Sequence, residues 1–207
     1  MSASVTLVYG GTFDPPHVQH VRMASLAADA IGATRIRVIP AAVNPQRTGE
    51  PPSPAEHRLA MVRLAFADEP RAMIDDREIR RGGPSFTVDT LEAIASEHPE
   101  ERMRLLIGGD QALNFHSWRQ PDRIVALAEP LVVPRAPLDA QALAHALRER
   151  LGAAAGPWLA RLLPLAPQPH ASTRLREALA RGERPDAAEL APAVTDYALR
   201  HGLYRGG

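Results

Sequence analysis

The chain has 207 residues, is 45% hydrophobic and sets 24 basic against 24 acidic side chains, for zero formal charge. That size fits one domain, or one domain with a small appendage, and the balanced charge advertises no general nucleic-acid or membrane surface. Cysteine and lysine are both absent, which excludes disulfides, thiolate metal sites, a lysine-dependent P-loop and Schiff-base or lysyl-adenylate chemistry.

Short β-branched runs alternate with amphipathic stretches. Val5–Tyr9 reads as a buried strand, and a helix follows from about His17 to Ile31, with Val21, Ala24, Ala28 and Ile31 on one stripe and Gly32 as its stop. Arg35–Ile39 is a second strand. The stretch 40–54, rich in Pro, Asn, Gln and Gly, reads as a mobile loop, long enough that a functional reading competes with plain disorder. A helix over Ala55–Ala67 follows Ser53-Pro54, with Ser as cap and Pro at the first position. Phe86–Glu97 is a further helix and Arg104–Ile107 a third strand, ending in Gly108-Gly109-Asp110. Leu131–Val133 is a fourth strand, Leu138–Leu151 a helix and Arg161–Leu165 a candidate fifth strand. Helices over Ser172–Ala180 and Ala191–His201 complete the chain.

Strands separated by helices imply right-handed βαβ crossovers. The expected fold is α/β: a Rossmann-like parallel sheet with helices on both faces, in a single domain whose small C-terminal helical part spans about 168–207. Ligands in such sheets sit beyond the C-terminal ends of the strands, which points to residues 10–20, 40–47 and 108–119. No signal-peptide pattern and no run of about 18 apolar residues is found, so a cytoplasmic location is expected.

Most of the chemistry lies in Gly10-Gly11-Thr12-Phe13-Asp14-Pro15-Pro16-His17-Val18-Gln19-His20. Two glycines after a buried strand allow a tight turn and close approach of an anion. His17 and His20 are three apart at a helix start, where unbonded N–H groups and the dipole already favour phosphate. Spacing alone leaves a plain glycine turn with two solvent-facing histidines as an equal alternative.

This segment resembles the (H/T)-x-G-H signature of the nucleotidyltransferase superfamily. Its longer form, G-G-T-F-D-P-x-H, is similar to that of the bacterial nicotinate-nucleotide adenylyltransferases. Gln19 stands where that family has Gly, which sets a side chain against the adenosine. The likeness continues along the chain. Pro40-Ala41-Ala42-Val43-Asn44-Pro45-Gln46-Arg47 resembles a family loop ending in Pro-His-Lys or Pro-His-Arg. Arg77-Glu78-Ile79-Arg80-Arg81-Gly82-Gly83-Pro84-Ser85-Phe86-Thr87 resembles R-E-x-x-R-x-x-x-S-[YF]-T. Leu105-Leu106-Ile107-Gly108-Gly109-Asp110 with Trp118 resembles I-I-G-x-D and its following Trp. His170-Ala171-Ser172-Thr173-Arg174-Leu175-Arg176 resembles I-S-S-T-x-I-R, departing at its first two positions. Gly202-Leu203-Tyr204-Arg205 matches the family's ending and reads as structural.

The resemblance implies adenylyl transfer from ATP to nicotinate mononucleotide in NAD biosynthesis. It implies His17, His20 and Arg176 as catalytic residues. ATP would be bound by Gly10, Gly11, Thr12, Phe13, Gln19, Arg47, Gly108, Asp110, Ser172 and Thr173. Nicotinate mononucleotide would be bound by Ser85, Phe86, Thr87, Trp118 and Arg119; the last stands where the family often has an aromatic. Mg²⁺ is expected to be held through the ATP phosphates and water, with no metal ligands from the protein. No nucleic-acid or membrane partner is expected, and homo-oligomer formation is left open. Two other functions stay open: another small adenylyltransferase, acting on nicotinamide mononucleotide or phosphopantetheine, and a nucleotide-binding regulatory module weakened in catalysis.

Overall fold

The computed structural model describes residues 4–46, 51–134, 136–166 and 172–205. Its elements, in chain order, are β1 (Val5–Gly11), α1 (Val18–Ile31), β2 (Arg35–Pro40), α2 (Ala55–Ala65), β3 (Ala72–Ile74), α3 (Arg77–Arg81), α4 (Thr87–Glu97), β4 (Arg102–Gly108), α5 (Gly109–Leu113), α6 (Pro121–Leu127), β5 (Ala128–Val133), α7 (Ala140–Leu151), α8 (Ala155–Ala160), α9 (Ser172–Ala180) and α10 (Pro192–Arg200). The strands form a five-stranded sheet in the order β3-β2-β1-β4-β5. β1 pairs parallel with β4, Val5 opposite Arg102, and β4 pairs parallel with β5, Met103 opposite Ala128. This is the α/β arrangement the alternating pattern predicts.

By packing, the described residues form two compact units. The first takes in residues 1–9, 23–36 and 86–169. Its core is apolar on both faces of β4, as a parallel strand under helices requires. Leu105, Leu106 and Ile107 are buried with Leu131, Val132 and Val133 of β5, Leu91 and Ile94 of α4, and Leu143 and Leu147 of α7. Each such side chain contributes about 1.5–3 kcal/mol on leaving water. α1 buries Met23, Ala24, Ala27 and Ala28, a stripe displaced from the predicted one, with Val21 and Ile31 at its margins. Gly109 is a packing position, since a Cβ there would lie 2.6 Å from Leu143 Cδ2.

The second unit takes in residues 10–22, 37–85 and 170–207. Arg37 on β2 is buried and faces Asp75 at 3.4 Å, and Asp75 also accepts from Arg77 Nε at 2.7 Å. The C-terminal helices share a core with α2: Met61 is buried among Leu175, Leu179, Leu190, Val194, Ala198 and Leu203.

Local differences from the predicted elements have identifiable causes. β3 spans only Ala72–Ile74, too short to show a period-2 pattern. Arg161–Leu165 makes one parallel bridge, Leu162 to Val132, and no ladder. Ser53 does not cap α2: Pro54 is its N-cap and no side chain bonds the helix start. At α4 the N-cap is Phe86, again without a side-chain cap bond.

Candidate active site

Two extended glycines carry β1 into its turn. A Cβ on Gly11 would stand 3.0 Å from the Phe13 ring, whereas one on Gly10 would meet nothing within 4 Å. Gly11 is therefore needed for packing, and Gly10 leaves bare backbone. Phe13 has a positive φ of 51°, which turns its ring into the core at 3% exposure. There it meets the His20 ring edge-on, with centroids 5.2 Å apart.

His17 and His20 act as a reciprocal pair at the start of α1. The His17 N–H donates to His20 Nδ1 at 3.1 Å, and the His20 N–H donates to the His17 carbonyl at 2.9 Å. Their ring centroids lie 3.8 Å apart. The bond into Nδ1 sets the tautomer: neutral His20 carries its hydrogen on Nε2 and presents it as a donor. This logic resembles a capping box, with imidazole in place of the usual carboxylate. The Val18 N–H donates to the Glu189 carbonyl at 3.0 Å. Most N–H groups at this helix start are thus engaged within the protein, against the expectation that they remain open for phosphate. Anion binding here falls to the imidazoles, the turn backbone and an arginine. Gln19, next to His20, keeps a buried Oε1 with no hydrogen-bond partner among the described residues.

That arginine is Arg176. Its Nη1 donates to the Asp14 carbonyl at 2.9 Å and its Nη2 to Thr173 Oγ1 at 3.2 Å, so the guanidinium is aimed at the same turn that carries the histidines. Arg174, on the exposed side of α9, pairs with Glu189, and that pairing raises its pKa. The two arginines of the motif therefore have different duties.

Asp14, to which the motif gives no role, organises the turn. It is 5% exposed; its carboxylate accepts from Tyr204 Oη at 2.8 Å and from the Ser53 N–H at 3.2 Å. Burial, and next the Asp14 carboxylate, push the Tyr204 phenol well above its usual range, so it stays a donor. Sequence spacing could not reveal this pair, 190 positions apart.

Ser85 closes against the loop after β2: its Oγ accepts the Ala42 N–H at 2.9 Å, and its own N–H donates to the Val43 carbonyl at 2.8 Å. Its hydroxyl hydrogen remains available for donation. Arg47 lies outside the described residues, as do His170 and Ala171.

The first unit carries Phe86, Thr87, Gly108, Asp110, Trp118 and Arg119, and Ser172 opens α9 in the second. Gly108 is buried and Asp110 exposed, in the first turn of α5; the Gly108 N–H donates to Gln111 Oε1 at 3.0 Å. Trp118 lies against Phe115, ring centroids 5.0 Å apart, and Phe115 in turn meets Trp158 at 5.0 Å. The indole Nε1 is buried without a hydrogen-bond partner among the described residues. The Arg119 guanidinium stands 4.9 Å over the Phe86 ring, and its Nη1 lies 3.4 Å from Asp89. Phe86 and Arg119 are thus joined by a cation–π contact, and Thr87 opens α4 beside them in sequence.

Comparisons with known proteins bear on the family and the fold. Residues 8–178 match the Cytidylyltransferase-like family. The probable nicotinate-nucleotide adenylyltransferase of Aeromonas salmonicida is 39% identical, the alignment covering 95% of each chain. That of Roseiflexus is 39% identical over 99% of this chain and 100% of its own. Among solved structures, the Plasmodium falciparum nicotinic acid mononucleotide adenylyltransferase complexed with NaAD superposes with a TM-score of 0.71, at 16% identity, over 97% of each chain, a likeness of fold. With the signature around His17 and His20 in place and relatives matched nearly end to end, the chain belongs to the Cytidylyltransferase-like family and, within it, to the nicotinate-nucleotide adenylyltransferases.

Proposed function

We propose that the protein is an enzyme that transfers the adenylyl group of ATP to nicotinate mononucleotide, releasing pyrophosphate and forming nicotinate adenine dinucleotide for NAD biosynthesis. The observation that carries this is the His17–His20 pair, rings 3.8 Å apart, on a turn whose Asp14 carbonyl is held by Arg176.

A 5′-phosphate oxygen of the acceptor attacks the α-phosphorus of ATP. One P–O bond forms, the α–β bridging P–O bond breaks, and pyrophosphate leaves with the electron pair. The attacking monoester is ionised at neutral pH, so no general base is required. What remains for the protein is alignment and neutralisation of growing charge. His20, through Nε2–H, donates to the phosphates; His17 and Arg176 add donors and charge on the same turn; the Gly10 backbone allows close approach. Ser172 and Thr173, with Thr12, Phe13 and Gln19, line the donor side, and Gly108 and Asp110 receive the ribose. Ser85, Phe86, Thr87, Trp118 and Arg119 take the acceptor, with the indole against the pyridine ring.

Mg²⁺ enters with ATP as part of the substrate. Among the described residues, the group of His, Asp and Glu ligand atoms close enough to hold an ion is His98, Glu100 and Glu101, which lies in the loop before β4 and not on the phosphate turn. The Asp14 carboxylate is already bonded to Tyr204 and Ser53. No helix is long and apolar enough to cross a membrane among the described residues.

Pyrophosphate release from ATP, measured with nicotinate mononucleotide, nicotinamide mononucleotide and phosphopantetheine in parallel, tests the assignment. The acid is expected to turn over fastest. Preference for the amide or for phosphopantetheine overturns the acceptor, and ATP binding without release overturns the enzyme.

A further inference from the structure

Arg58, in the second turn of α2, belongs to no motif above, yet it is 1% exposed. Its planar fork reaches three separate segments at once. Nη1 donates to the Thr12 carbonyl at 2.8 Å and to the Ala41 carbonyl at 2.7 Å, Nη2 to the Ala42 carbonyl at 3.0 Å, and Nε to the Ser53 carbonyl at 2.8 Å. Burying a guanidinium is costly unless its donors are bonded. Here those bonds gather backbone that no sheet ladder holds.

The bonds continue in both directions. Toward the phosphates, the Ser53 N–H donates to the Asp14 carboxylate at 3.2 Å, and Asn44 Nδ2 reaches Thr12 Oγ1 at 3.4 Å. Toward the acceptor segment, the Ala42 N–H donates to Ser85 Oγ at 2.9 Å, and Val43 bridges Pro84. Thr12 on the donor-substrate side and Ser85 on the acceptor side thus hang from one side chain through hydrogen-bonded backbone. All of these residues lie within the second compact unit.

We infer that Arg58 is a positioning residue: it fixes the phosphate turn at Thr12 and the acceptor segment at Ser85 in a single register, so that nucleotide on the turn orders Ser85 as well. The inference rests on the adenylyl-transfer reading. A lysine cannot substitute, because a point charge with three donors on a flexible stem cannot span the four carbonyls that the guanidinium bonds through its three nitrogens. An apolar residue would leave those carbonyls without donors.

The test has two parts. In the unmodified protein, amide exchange is followed with and without a non-hydrolysable ATP analogue, in the absence of acceptor. Protection is expected at residues 10–17 and also at the Ala42 and Ser85 N–H groups, slowed on the order of tenfold there, within the usual range of coupling between sites. In Arg58→Lys, kcat is expected to fall on the order of 10- to 100-fold through misalignment, with the ATP KM within about threefold and the protection at Ala42 and Ser85 lost. A merely structural arginine would lower the melting temperature and leave the KM-to-kcat split and the exchange pattern unmoved. The inference is overturned if the analogue protects 10–17 but not Ala42 and Ser85, or if a folded Arg58→Lys keeps wild-type kcat. Should the variant fail to fold, the exchange measurement on the unmodified protein still decides. Failure of the adenylyl-transfer reading has its own signature, no pyrophosphate release with any acceptor and no protection at 10–17, and takes this inference with it.

Discussion

The turn after β1 and the stretch Phe115–Arg119 follow opposite building rules. The turn is tied by polar bonds from distant parts of the chain: Arg176 and Tyr204 from the C-terminal region and Arg58 from α2 all end on Thr12 or Asp14. The Phe115–Arg119 stretch rests on ring contacts, Trp118 on Phe115 and Arg119 on Phe86, and the ion pair of Arg119 with Asp89 is exposed. A site that must neutralise charge in a transition state needs donors fixed in advance. A site that must hold a flat ring needs surface more than direction. The contrast teaches that substitutions in the turn should act on turnover, and those in the aromatic stretch on acceptor binding.

The sharpest way to break that contrast is His20→Ala, which is expected to lower kcat on the order of 100-fold while binding of an ATP analogue changes little. A loss under about threefold with intact binding would remove His20 from catalysis. Next in size is Trp118→Ala, expected to raise the acceptor KM on the order of tenfold with kcat nearly kept, the usual worth of one stacked ring; a fall confined to kcat would erase the distinction between the two regions. Tyr204→Phe removes the donor to Asp14 and should cost about 1–2 kcal/mol in denaturant titrations near neutral pH. The fold raises the pKa of this phenol and so favours its neutral form. That stabilisation is complete below the unfolded value of about 10 and is lost as pH climbs past it. The wild-type melting temperature should therefore drop between about pH 9 and 11, and the Phe variant should drop less. Smallest is Arg119→Ala: the ion pair with Asp89 is about half exposed on the arginine side, at 49%, and such pairs are worth under about 1 kcal/mol. An acceptor KM moved by more than about fivefold would show that Arg119 holds the substrate directly.

What the sequence made legible follows the range of the interaction. α1, β2, α4 and α9 are set by local apolar periodicity, and each lies within a residue or two of its predicted place. The histidine pair is legible through its resemblance to the nucleotidyltransferase signature, since spacing alone leaves a glycine turn with two solvent-facing histidines equally open. Arg58 was invisible because a lone arginine among α2's polar residues looks like any solvated surface charge, and only the tertiary fold buries it. Tyr204 was read as structural, but its partner was out of reach of any local pattern. Gly109, which sits in a motif between two residues assigned to ATP, is there for Leu143; a motif glycine does not announce which neighbour it spares. The expected Ser53 cap is absent because Pro54 takes the N-cap position, while the Ser53 backbone is engaged by the Asp14 carboxylate and the Arg58 guanidinium.

The bond from Tyr204 to Asp14 also bears on the order in which the molecule is made. A ribosome releases the phosphate turn early and Tyr204 only 190 residues later. Throughout that interval the nascent chain carries the Gly10–His20 segment without the phenol that bonds Asp14. A ribosome-bound chain arrested short of Tyr204 lacks that bond and is expected to hold ATP more weakly than a chain that includes it.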